Sequence, residues 1–108
     1  MGDLALQFER DMLADSREYT KRTKTSPSRY LQMIQSYGAV ETARRLACDP
    51  AFHEGFTRAW EHKCLNLTAE YLMVYGDGGR YQQLFSGDEI EAARKKLRSV
   101  EVTGPIGT

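Results

Sequence analysis

Between Ser26 and Glu89 the chain is punctuated at short intervals by signals that stop one helix and start the next. They are Ser26-Pro27, Gly38, Asp49-Pro50, Gly76-Asp77-Gly78-Gly79 and Ser86-Gly87-Asp88-Glu89. Between them apolar residues recur every three or four positions, and no stretch alternates with the period of two that a half-buried strand requires. The pattern predicts an all-α fold, a compact single-domain bundle of about five to six short helices joined by short connections.

In chain order, Asp3 is placed to cap a first helix from Leu4 to Lys24 with a thin apolar face of Ala5, Phe8, Met12 and Tyr19. Acids lead and bases follow along it, which suits the helix dipole. Ser26 caps the second helix, with Pro27 at its first position, where a missing N–H costs nothing. Tyr30, Leu31, Ile34 and Tyr37 form its apolar stripe, and Gly38 ends it. The third helix turns Val40, Ala43, Leu46 and Ala47 inward. Phe52, Phe56 and Trp60 recur every four residues, stacking three aromatics on one side of a fourth helix as the expected spine of the core. Gly55 marks a break or a close approach there. Thr68 or Asn66 caps a fifth helix contributing Leu67, Leu72, Met73 and Tyr75. After the glycine loop, Tyr81, Leu84 and Phe85 return to the core. Ser86 and Glu89 have capping-box spacing ahead of a last helix with Ile90, Ala93 and Leu97 inward. The core then comprises Phe8, Met12, Tyr30, Leu31, Ile34, Val40, Leu46, Phe52, Phe56, Trp60, Leu72, Leu84, Phe85, Ile90 and Leu97. One domain spans residues 1–99, followed by a flexible tail over residues 100–108.

With 108 residues, the chain is long enough to bury one modest core. Its formal net charge is zero, which argues against a surface that is wholly a polyanion-binding field. The only cysteines are Cys48 and Cys64, too few for a disulfide framework, so reduced thiols in a cytoplasmic setting are expected. The first residues lack a signal-peptide layout, and no apolar run approaches the ~20 residues that span a bilayer.

Chemistry-bearing residues crowd His53, Glu54, Glu61, His62 and Cys64. The two histidines are nine positions apart, however, which points them to different sides of a helix, so no metal site or other cofactor is expected. Cys64 follows His62 by two positions, a spacing that directs neighbours apart, and no catalytic residue is assigned. An acid–base role would require a pocket around Glu70 or His62. The glycine loop lacks the Gly-Lys-Ser/Thr ending of a phosphate cradle. Binding is the better expectation. Arg17, Lys21, Arg22, Lys24 and Arg29 gather at the first interhelical turn, with Arg44 and Arg45 placed to extend the patch if the helices adjoin. Tyr71, Tyr75 and Tyr81 flank the glycine loop as a candidate protein interface. Two partner classes follow: a protein, or DNA or RNA held by the basic patch.

Arg29-Tyr30-Leu31-Gln32-Met33-Ile34, Gly38-Ala39-Val40-Glu41-Thr42-Ala43, Gly55-Phe56, Leu65-Asn66-Leu67-Thr68-Ala69-Glu70, and Leu84-Phe85 with Glu89 and Ala93-Arg94 form a recognisable series. It resembles a small, uncharacterised bacterial or phage domain that occurs alone or appended to larger proteins. The likeness runs from Arg10 to Leu97, with Asn66 standing where that pattern usually has an acid. It implies a helical fold and a prokaryotic or phage origin, and nothing catalytic. By analogy with small helical proteins of that origin, it suggests a module that binds a larger machine, anti-defence inhibitors of nucleic-acid-guided immunity among them.

Overall fold

The computed structural model describes residues 3–49, 54–102 and 104, with only the backbone at 54 and 55. Among the described residues there are six α-helices and no strand. They are α1 (Leu4–Thr23), α2 (Ser28–Tyr37), α3 (Ala39–Cys48), α4 (Glu54–Glu61), α5 (Ala69–Tyr75) and α6 (Gly87–Arg98). Two 3-10 stretches, Leu65–Leu67 and Gly76–Leu84, flank α5. The Cα radius of gyration is 12.5 Å, close to the ~13 Å of a compact domain this long.

The element at the centre is α5. It packs against α3, α6 and both 3-10 stretches, and Ala69, Glu70, Leu72, Met73 and Val74 are all buried. Seven residues are too few for an isolated helix, so tertiary packing holds this one. Thr68 caps it, accepting from the Tyr71 N–H at 3.2 Å, as the sequence predicts. Gly76 follows directly. A Cβ there would lie 2.6 Å from Leu72 Cδ1 and 2.7 Å from Tyr81 Cδ2, so only glycine lets the Tyr81 ring close over the helix end. The backbone then turns through left-handed conformations at Asp77, Gly78 and Gly79. Asp77 tolerates this better than most residues, and its carboxylate binds Arg80 and accepts from Gln7 Nε2 at 2.9 Å, tying the loop to α1.

Against these elements α1 lays one stripe: Phe8, Met12, Ser16, Tyr19 and Thr23. The buried hydroxyls are satisfied within the helix itself, Ser16 donating to Leu13 O and Thr23 to Tyr19 O. Phe8 meets Tyr81 and Phe85 edge-on at 5.0 and 5.5 Å. Ser86 and Glu89 form the reciprocal capping box that their spacing predicts.

The aromatic spine is corrected. Phe56 is buried, but Trp60 is 53% exposed; Phe52 lies outside the described residues. The reason is how α4 ends. Lys63 adopts a left-handed conformation and Cys64 N–H returns to Ala59 O at 2.8 Å, so Cys64 and Leu65 fill the space beneath the helix that Trp60 was expected to occupy. On α2 the inward residues are Met33 and Ile34 rather than Leu31; Tyr37 is 49% exposed, covered by the Arg45 guanidinium 3.9 Å from its ring centroid. Pro27, not Ser26, holds the cap position of α2, and the Asp3 side chain makes no capping bond to α1. Gly55 lies within the first turn of α4 without breaking it. Beyond α6, Val102 N–H reaches Leu97 O at 2.9 Å across the left-handed Glu101, and Val100 and Val102 pack on the core.

Candidate functional site

A groove of about 370 Å³ lies where the C-terminal half of α1, the first turns of α2, α4 and the start of α5 converge. Apolar walls come from Tyr19, Pro27, Tyr30, Met33, Leu46 and Phe56. Ser16, Thr25, Ser26, Ser28 and Thr68 add hydroxyls, and Arg29, Arg58 and Glu70 bring charge. A volume in the low hundreds of Å³ with apolar walls and a few polar groups is the ordinary form of a binding pocket.

Glu70 is only 3% exposed, and Lys96 on α6 is 9% exposed. Lys96 Nζ lies 2.6 Å from Glu70 Oε2, donates to Leu46 O at 3.0 Å and sits 5.0 Å from the Phe56 ring centroid. The wall's carboxylate is therefore matched by an ammonium held from behind. Burial pushes the Tyr30 hydroxyl well above the usual phenol range, and the charges of Asp15 and Glu70 push it further. Asp15 is itself raised to about 7, first by burial and then by Asp11.

The sequence-predicted basic residues divide. Arg17, Lys21 and Lys24 are exposed, and among the described residues they form no ion pair. Arg22 pairs with Glu18 on its own helix, and Arg29 lines the groove. Arg44 and Arg45 do not extend this patch as open cations. Both clasp Glu41, and Arg44 also meets Glu89 on α6. Of the three tyrosines, Tyr81 is fully buried and cannot present an interface. Its hydroxyl donates to Asp11 at 2.5 Å and is pushed up to about 12, by burial first and that hydrogen bond second. Tyr71 and Tyr75 are half-buried, their rings tilted together at 5.1 Å.

Cys48 and Cys64 are free, and burial raises both thiols, the opposite of nucleophile activation. Among the described residues no three His, Cys, Asp or Glu side chains converge as metal ligands; His53 lies outside them. No helix among the described residues is long and apolar enough to cross a membrane.

Sequence reasoning missed Phe56, Arg58 and Met33 as partners in one site, because their positions are separated in the chain and meet only through the fold. One local signal was present: Glu70 is an acid in the otherwise apolar run of α5. Compared with protein-family profiles, with curated proteins and with solved structures, the chain shows no match in any of the three. Fold and groove together define a class: an all-α domain with an apolar-walled groove that Arg29 and Arg58 also line.

Proposed function

We propose that this chain is a non-catalytic protein-interaction module that binds and modulates a larger, nucleic-acid-processing assembly, an anti-defence inhibitor of the anti-CRISPR kind being one specific version. The observation that carries the binding role is the groove, whose lining is apolar and whose one buried acid is occupied by Lys96. Buried apolar pockets with arginine beside them are where interface anchors seat. The bacterial or phage setting and the larger assembly rest on the sequence resemblance.

The test is capture from a bacterial lysate on the tagged chain, with and without nuclease, alongside a Ser26→Trp variant that caps the groove mouth. A protein retained through nuclease treatment and lost with Ser26→Trp supports the reading. Retention that ends with nuclease refutes it.

A second reading is favoured by Arg17, Lys21 and Lys24, three exposed cations on one end of α1: a small DNA- or RNA-binding protein using residues 17–29. Five phosphate contacts, from Arg17, Lys21, Arg22, Lys24 and Arg29, would give a slope of about −4.5 in log K against log salt on duplex DNA. A flat salt profile with duplex DNA and with RNA removes this reading.

A further inference from the structure

We infer that the exposed ridge of α1 is a phosphate-binding surface for duplex DNA, with Arg10, Arg17, Lys21 and Lys24 each set against a backbone phosphate. This goes beyond the protein-binding reading and sharpens the DNA- or RNA-binding one, on which it rests. On a helix, positions 6, 10, 14, 17 and 21 share one face, and Leu6, Arg10, Ala14, Arg17 and Lys21 are all exposed there. Lys24, also exposed, ends the helix as its left-handed C-cap. At about 1.5 Å of rise per residue, the four cations extend over about 20 Å of the axis.

These charges are not compensated within the chain. Among the described residues none of the four forms an ion pair. The acids of α1 are engaged off the ridge: Asp11 accepts from Tyr81, Asp15 lies near Tyr30, and Glu18 holds Arg22. Glu9 is half-buried beside Arg10, and Asp3 stands ahead of the helix. Asp77, bonded to Gln7, is held by Arg80. The field is therefore most positive over the C-terminal half. Arg22, paired with Glu18, and Arg29, which has its own contacts within the chain and lines the groove, fall outside the ridge.

The composition of the ridge selects its occupant. Its one large exposed apolar residue, Leu6, sits at one end, whereas a protein interface is built around an apolar centre. A nucleic acid needs no such centre, because phosphate contacts supply essentially all the affinity of non-specific binding. Single strands are held on aromatic platforms, and the ridge carries no aromatic. Duplex DNA presents one phosphate about every 1.7 Å of axis, and its major groove, about 12 Å wide, admits a helix. The major groove of duplex RNA is too narrow for this.

The experiment is fluorescence anisotropy of a labelled DNA duplex of about 20 base pairs with the full chain, titrated at salt from about 20 to 200 mM. Four contacts should give a slope of about −3.6 in log K against log salt. Arg10→Gln should bring it to about −2.7, and Arg17→Gln/Lys21→Gln to about −1.8, each with weaker binding. Arg22→Gln/Arg29→Gln should leave the slope within about 0.5 of wild type. All the substituted residues are exposed, and melting checks that each variant is folded. A slope lowered by Arg22→Gln/Arg29→Gln and untouched by Arg10→Gln overturns the ridge and leaves the nucleic-acid reading on residues 17–29. Single-stranded DNA or duplex RNA bound as tightly as duplex DNA overturns the choice of occupant. A flat salt profile with all three removes both.

Discussion

The buried pair of Glu70 and Lys96 offers the sharpest test of the structure. Glu70→Gln takes the carboxylate partner from the Lys96 ammonium, which is 9% exposed and lies against the Leu46 carbonyl and the Phe56 ring. Lys96→Met leaves a 3% exposed carboxylate facing Tyr30 and the groove. Removing one member of a buried pair costs about 3–5 kcal/mol, because the survivor must stay charged without its partner or give up its charge. Against a total of about 5–15 kcal/mol for a domain, either single variant stands near the edge of folding. The double variant Glu70→Gln/Lys96→Met removes both charges and keeps the volume, so it should recover to within about 2 kcal/mol of wild type. Urea unfolding followed by circular dichroism measures all four corners of this cycle. Single variants costing under about 1 kcal/mol would show that the pair is solvated and the groove wall misplaced. A double variant destabilised by the sum of the two single costs would show that Glu70 and Lys96 do not depend on one another.

Three further outcomes follow from other sites. Asp15 is held near 7 in the folded chain against an ordinary value of 3.8, so between those pH values the folded state binds the extra proton and stability falls as pH rises. Asp15→Asn should thus match wild type near pH 4 and exceed it by about 1–2 kcal/mol above pH 7.5, well short of the ~4 kcal/mol that a fully desolvated shift of this size would give; pH-dependent urea midpoints check this, and a variant less stable than wild type at pH 8 contradicts the burial of Asp15 beside Asp11. Gly76→Ala places a methyl against Leu72 and the Tyr81 ring and should cost about 1–3 kcal/mol by overpacking, seen as a lower melting temperature. Phe56→Ala should cost about 3–5 kcal/mol and Trp60→Ala under about 1 kcal/mol in thermal unfolding, the reverse of an aromatic spine through Trp60.

What could be read locally was read well. The extent of α1, the Thr68 cap and the Ser86–Glu89 box depend on residues within one turn of each other, and the structure places all three accordingly. The spacing of Phe52, Phe56 and Trp60 shows that they share a face, but periodicity carries no information on how far a neighbour covers that face. The left-handed turn at Lys63 decided it, bringing Cys64 and Leu65 under α4 and leaving Trp60 outside. The centrality of α5 was hidden for the opposite reason: seven residues containing an acid give too short a pattern to announce a core helix. That acid is what connects fold and site. Glu70 can be buried only because Lys96 reaches it from α6, 26 positions away in sequence. The same ion pair that holds α5 to α6 therefore also builds part of the groove wall.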